Sequence, residues 1–326
     1  MGGLSSAVRS AREPAFAAAL RAAVQGDVRE AEGLAKYSTY RIGGTATVLL
    51  PHSAEDVARA LQCCAREGVR WYAIGLGSNI LLPDEGLDTL VIRIGRGLDA
   101  LVPLREDRWS VGAGLPQPLA AKRTVEAGVA GMHRYVGVPG SVGGGIYMNA
   151  GCHGGEWSDV VVSVTVLDAE GRETVLPRAE VPFTYRSSGL TGRLVVETTV
   201  QLVPGDPVAL QHEIAELYRW RQEGTPFNQP CCGSVFKNPS GASWGREDGP
   251  RTAGQLIEAA GLKGRRIGGA EISPMHANYF VNTGGATAAD VRALMHEART
   301  RVEQTFGAVL EPEVKLIRAD GSYGLL

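Results

Sequence analysis

The 326-residue sequence predicts an α+β protein built from two or three packed lobes. Three observations carry that expectation. Strand, helix and strand signals alternate from residue 46 to 94. Hairpin strands follow between 160 and 202. A capped amphipathic helix over 287–306 then precedes a short terminal strand.

Residues 1–35 are alanine-rich, read as one or two helical stretches, and hold no chemistry. Ala46 to Leu50 is a strand ended by Pro51. Ser53 caps a helix, with Asp56 three residues on in capping-box spacing, and Gly68 stops it. Trp71–Ile74 and Thr89–Ile94 read as two further strands, which makes a small βαβ lobe. After Trp109 the pattern becomes less helical and richer in glycine. Val160–Leu167, the turn Asp168-Ala-Glu-Gly171 and Glu173–Leu176 form a hairpin, and Leu194–Leu202 is a long β run. Val208–Arg221 is a helix. The stronger helix at 287–306 has a Thr287/Asp290 capping box, an apolar face through Val291, Leu294, Met295, Ala298, Val302 and Phe306, and Gly307 at its end. Val314–Ile317 is the terminal strand.

Composition excludes several classes. The 33 basic and 35 acidic side chains nearly balance, so neither nucleic acid nor an anionic membrane is expected as the main partner. No stretch approaches the ~20 apolar residues that span a bilayer. Ala15–Leu20 is too short and alanine-rich for a signal-peptide core, and the expected address is the cytoplasm. The 5 cysteines comprise the adjacent pairs Cys63-Cys64 and Cys231-Cys232 plus Cys152. Without a Cys-x-x-Cys spacing they favour neither a disulfide framework nor a zinc site, and no metal is expected.

Glycine is the compositional anomaly. There are 43, and eight of them fall between Gly137 and Gly155. Three segments concentrate candidate ligand contacts. Tyr40-Arg41-Ile42-Gly43-Gly44 precedes a strand; it is either a site that exposes backbone N–H groups or a tight turn. Gly75-Leu-Gly77-Ser78-Asn79 follows a strand but fails the dinucleotide fingerprint, because Ile80 stands at the sixth position and Pro83 blocks a long helix. It is a phosphate loop of another type or a turn. The strongest is Gly137-Val138-Pro139-Gly140-Ser141-Val-Gly143-Gly144-Gly-Ile-Tyr-Met-Asn149-Ala-Gly151, continued by Gly154-Gly-Glu156. So many glycines cost folding entropy, which backbone N–H groups close around a flat or anionic ligand would justify.

Together these segments resemble the FAD-binding module of the vanillyl-alcohol oxidase and para-cresol methylhydroxylase superfamily. Within it the chain resembles the UDP-N-acetylenolpyruvoylglucosamine reductase (MurB) family from about Tyr37 to Ile317. The strings that carry the resemblance are YRIGG, GLGSN, GVPGSVGG with MNAGCHGGE, FTYRSS, GSVFKNP, AGLKG with HANYFVN, and EPEVKLI.

The resemblance implies an FAD-containing, NADPH-dependent reductase of UDP-N-acetylglucosamine enolpyruvate. It implies non-covalent FAD at Tyr40, Arg41, Ile42, Gly43, Gly75, Gly77, Ser78, Asn79, Gly137, Val138, Pro139, Gly140, Ser141, Gly143, Gly144, Asn149 and Gly151. Arg186, Ser234 and Glu313 would be catalytic, with Tyr185, Lys237 and Asn238 on the substrate. Taken one at a time, Arg186 reads as a surface ion-pair residue, Ser234 as a turn serine and Glu313 as a solvated acid; only the family's pattern unites them. In that pattern Arg186 and a protonated Glu313 stabilise charge on the substrate carboxylate, and Ser234 supplies a proton.

The resemblance also implies four segments. Residues 1–35 are a helical extension, 36–205 an FAD module of two lobes split near 100, 206–310 a substrate lobe, and 311–326 a strand returning to the FAD module. The span between Arg186 and Leu194 is short, so the chain fits the subgroup without a long substrate-lid loop. Thr225-Pro226 and Cys231-Cys232 depart from the family's usual residues, and neither cysteine is assigned a redox role.

Overall fold

The computed structural model describes residues 9–105, 107–239 and 252–326. The chain enters with helix α1 (Pro14–Ala23), whose proline at the first helical position has no N–H to leave unpaired. Its apolar stripe buries Phe16, Ala17 and Leu20. Residues 27–33, expected to be helical, form a strand instead. That strand lies at the edge of a four-stranded sheet ordered 27–33, 45–50, 90–93, 71–74. Pairing with an open sheet edge here overrides local helix propensity.

Helix α2 (Ala54–Glu67) has the expected ends: the Ser53 hydroxyl accepts from the Asp56 N–H at 3.2 Å, and left-handed Gly68 closes it. The Asp56 carboxylate does not close a capping box. It reaches outside the helix and accepts from the His52 and Gln25 N–H groups at 2.9 and 2.8 Å. Strands 45–50 and 71–74 both run parallel to 90–93, completing the βαβ arrangement.

The described residues form two units. One holds the chain up to Glu32, Ala46–Leu76 and Leu87–Trp220; the other holds Gly33–Thr45, Gly77–Gly86 and Arg221 onward. The first unit contains a second sheet, ordered 173–177, 161–167, 194–201, 108–112, 101–103 and antiparallel throughout. The hairpin and the long β run are where the sequence places them. Strands 101–103 and 108–112 were not assigned from the sequence, and helix α3 (Gln117–Glu126) falls where the pattern becomes less helical. One apolar core runs from Phe16 and Leu61 through Leu90 and Ile92 to Trp157, Val164 and Val200. The short helix α4 (Val142–Tyr147) lies inside the glycine-rich segment, and α5 (Pro207–Gly224) is longer than its expected range.

In the second unit a four-stranded antiparallel sheet is ordered 231–234, 279–282, 270–272, 266–267. Helices α6 (Ala253–Ala259) and α7 (Ala288–Phe306) accompany it. Phe236, Ile272, Phe280, Val291 and Leu294 are fully buried between them. The Thr287/Asp290 capping box closes in both directions, at 3.1 and 3.0 Å, and Gly307 ends α7. The terminal strand, Lys315–Leu316, pairs in parallel with Ile80–Leu81, immediately after the Gly75–Asn79 loop. Among the described residues, no helix is long and apolar enough to cross a membrane.

Candidate active site

Arg186 belongs to the first unit. It sits in a tight turn in which Thr184 and Ser187 exchange backbone hydrogen bonds at 2.8 and 3.1 Å. Its φ of 57° is left-handed, an uncommon conformation for a long side chain and one that surrounding bonds must hold. Both ends of the turn are tied to the last residue of α4 or to the chain just after it. The Asn149 amide Nδ2 donates to the Thr184 carbonyl at 3.1 Å, and the Ser188 hydroxyl donates to the Tyr147 carbonyl at 2.9 Å. The guanidinium stacks over the Tyr185 ring, 4.7 Å from its centroid, and a Cβ placed on Gly151 would lie 3.5 Å from Arg186 Nη1. Tyr185 itself is half exposed.

The glycine-rich segment serves close approach first. A Cβ on Gly75 would strike the Ser141 hydroxyl, and one on Gly145 would strike the indole nitrogen of Trp157. That indole donates to Gln117 Oε1 at 2.7 Å and stacks on Tyr135 at 4.7 Å between centroids. Packing of chain on chain therefore explains several glycines that a ligand seemed needed to explain. The segment still offers donors. Gly140 and Ser141 are buried, and among the described residues no acceptor meets either N–H. Buried donors of this kind cost about 1–3 kcal/mol each unless something accepts from them. They lie beside Gly75, so two of the three candidate segments meet within the first unit.

In the second unit, Tyr40 and Ile42 spend their side chains in the apolar core with Cys232 and Phe236. The Tyr40 carbonyl accepts from Asn282 Nδ2 at 2.9 Å. Arg41, with a φ of 57°, is exposed, and the Gly77 carbonyl accepts from the Thr39 N–H at 3.1 Å.

Ser234 ends the strand 231–234, opposite Tyr279, after a register shift in the pairing with 279–282. Gly233 sits in that irregularity with a φ of 80°, a conformation that glycine adopts without the Cβ clash. A bulge at this point re-aims the side chain that follows. Glu313 runs alongside: its N–H donates to the Val235 carbonyl at 2.8 Å, and the Lys237 N–H donates to Glu311 at 2.9 Å. Asn79 Nδ2 donates to the Glu313 carbonyl at 3.2 Å. The structure thus brings Ser234, Glu313, Lys237 and the Asn79 loop together in one unit.

Other expected contacts have local partners. The Asn238 side-chain oxygen accepts from the Ala253 N–H at 3.1 Å, at the start of α6, and Lys237 Nζ lies 3.4 Å from Glu311. Burial pushes the Cys231 and Cys232 thiols up, away from the reactive thiolate. The sequence reading omits Lys315. Burial holds its ammonium below the ordinary lysine value, Lys237 adds to the effect, and Glu313 opposes it.

Residues 45–176 match the family model described as an FAD binding domain. Residues 225–317 match the model for the C-terminal domain of UDP-N-acetylenolpyruvoylglucosamine reductase. The reductase of that name from Halalkalibacterium halodurans is 40% identical over 301 residues, covering 91% of this chain and 97% of the relative. The chain belongs to the UDP-N-acetylenolpyruvoylglucosamine reductase family. The reductase from a Caulobacter species is 38% identical over 298 residues, 90% of this chain and 96% of its own. The crystal structure of the reductase from Thermus caldophilus superposes with a TM-score of 0.76 at 33% identity, covering 89% of this chain and 99% of that one. The C-terminal reductase match encloses Ser234 and Glu313. The FAD-binding match encloses the Gly75 and Gly137–Gly151 segments and stops short of Arg186.

Proposed function

We infer that this chain reduces UDP-N-acetylglucosamine enolpyruvate to UDP-N-acetylmuramate with NADPH, using bound FAD, in peptidoglycan precursor synthesis. The observation that carries this reading is the 40% identity, spanning 97% of the relative's length, to a reductase named for that substrate. The residues present fit FAD. The buried N–H groups of Gly140 and Ser141, at the start of α4, are suited to an anionic pyrophosphate. A nucleotide-sugar substrate and NADPH point to the cytoplasm as the place of reaction.

Bound FAD would supply the hydride, drawn from NADPH, that the terminal CH2 carbon of the enolpyruvyl group gains. Everything else falls to side chains. An enol ether is a poor hydride acceptor until the negative charge that develops on its carboxylate is stabilised. Arg186 meets that carboxylate with its two-pronged guanidinium, where each such donor is worth about 2.7–4 kcal/mol. Glu313, in its protonated form, donates a second hydrogen bond to the same group. Ser234 passes its hydroxyl proton to the carbon beside the carboxylate, and solvent restores that proton afterwards. One hydride and one proton are added, and NADPH leaves as NADP+. Lys237 and Asn238 hold the UDP portion, Lys237 as a point charge against the diphosphate, and Tyr185 flanks Arg186 at the substrate.

Anaerobic oxidation of NADPH by the purified yellow protein tests the reading. Oxidation should be rapid only when UDP-N-acetylglucosamine enolpyruvate is present. A flavin that NADPH reduces but this substrate never reoxidises would overturn the assignment.

A further inference from the structure

Asn149 is fully buried, and its backbone is left-handed at a φ of 42°. Its side-chain amide is committed in both directions. Nδ2 donates to the Thr184 carbonyl at 3.1 Å, and Oδ1 accepts from the Ser158 N–H at 3.0 Å. The Asn149 N–H itself donates to the Ile146 carbonyl at 3.0 Å, fixing the residue to the end of α4. Thr184 opens the turn that presents Arg186, and the Ser188 hydroxyl, on the Tyr147 carbonyl at 2.9 Å, ties down its other end. Tyr185 and Ser187 are exposed, and Arg186 holds an uncommon backbone conformation. The chain from Asn149 runs two residues on to Gly151, which packs beside the Arg186 guanidinium.

We propose that Asn149 is a positioning residue for Arg186: its amide ties the Thr184–Ser187 turn to α4 and sets the angle at which the guanidinium meets the substrate carboxylate. The inference rests on the reading of Arg186 as that carboxylate's partner. Asparagine suits the role because it tolerates the left-handed backbone and carries a donor and an acceptor together. Aspartate would keep the backbone and the Ser158 bond but would face the Thr184 carbonyl with a second acceptor. A displacement of about 1 Å in a charge-stabilising group can cost about 100-fold in rate.

The test uses the FAD-loaded enzyme and the variants N149D and N149G, the latter keeping the left-handed backbone without either side-chain bond. Flavin content, flavin reduction by NADPH and reoxidation by the enolpyruvyl substrate are measured separately. Equilibrium binding of UDP-N-acetylmuramate is compared with that of UDP-N-acetylglucosamine, which lacks the carboxylate. The ratio of reoxidation to reduction, each taken per bound flavin, should fall at least about 10-fold. Preference for the carboxylate-bearing ligand should fall with it. R186A should abolish that preference, and N149D should then add nothing in the R186A background.

Equal slowing of both half-reactions per bound flavin, or a full N149D effect on top of R186A, would overturn the proposal. So would failure of both variants to yield folded flavoprotein, which would assign Asn149 to the scaffold. A wild-type chain that never turns over the substrate would instead sink the functional reading; an active wild type with an indifferent N149D would sink this inference alone.

Discussion

Ser234 and Arg186 are held in opposite ways. Ser234 sits on a strand within a sheet, fixed by backbone pairing to Tyr279 and aimed by the irregularity at Gly233. Arg186 sits on a short turn that two side chains, Asn149 and Ser188, bond to neighbouring chain. A ladder of backbone bonds over an apolar core tolerates most surface changes nearby. A turn hung from single side chains does not. The difference teaches where each residue is vulnerable: Ser234 through the core beneath it, Arg186 through its tethers.

The largest expected effect breaks the ladder from below. Phe280 is fully buried in the strand next to Ser234's, packed against Phe236 at 6.0 Å between ring centroids. F280A should cost about 3–5 kcal/mol of stability. Chemical denaturation monitored by circular dichroism would read it, and a loss below about 1 kcal/mol would show that the core does not anchor this strand. G233A comes next: a Cβ in the left-handed conformation should cost about 1–3 kcal/mol and lower kcat by moving Ser234. Retained kcat in a destabilised G233A would separate the bulge from the aim of the serine.

Smaller effects test the scaffold of the Arg186 side. Removing the α2 cap in S53A should cost about 1 kcal/mol, read from the same denaturation curves, with turnover unchanged. His133 gives a pH signature. Burial lowers its pKa from the ordinary value of 6.5, and its Nδ1 accepts from the Gly131 N–H at 3.1 Å, a bond that protonation destroys. The unfolded chain therefore binds the proton more readily, so stability should rise with pH up to about 6.5 and level off above it. H133Q should flatten that rise, with Tm across pH as the measurement. His276 is shifted down by burial as well, so part of the slope should survive.

How much of this could be read in advance depended on whether the determinants were local. Helix α2 follows from a cap and a terminal glycine, and α7 from those with a periodic face besides, all within 20 residues or so of chain, and their ends fall where expected. Strand 27–33 does not, because the sheet edge that recruits it lies outside its own sequence. Strands 266–267 and 270–272 are too short to show a period. At the site, Arg186, Ser234 and Glu313 were singled out through motifs rather than geometry. The link from Asn149 to Thr184 spans 35 residues and leaves no periodic trace. The glycine run was legible as a place of close approach, yet much of that approach is chain against chain.

The proposal most open to test is that Ser234 and Arg186 both serve the half-reaction with the enolpyruvyl substrate. Single-turnover reoxidation of NADPH-reduced enzyme by the enolpyruvyl substrate tests it most directly, in wild type, S234A, R186A and the double variant. The account predicts that each single variant slows reoxidation at least about 100-fold without slowing reduction, and that the double variant is little worse than the slower single. Reoxidation at the wild-type rate in either single variant, or losses that multiply in the double, would contradict it.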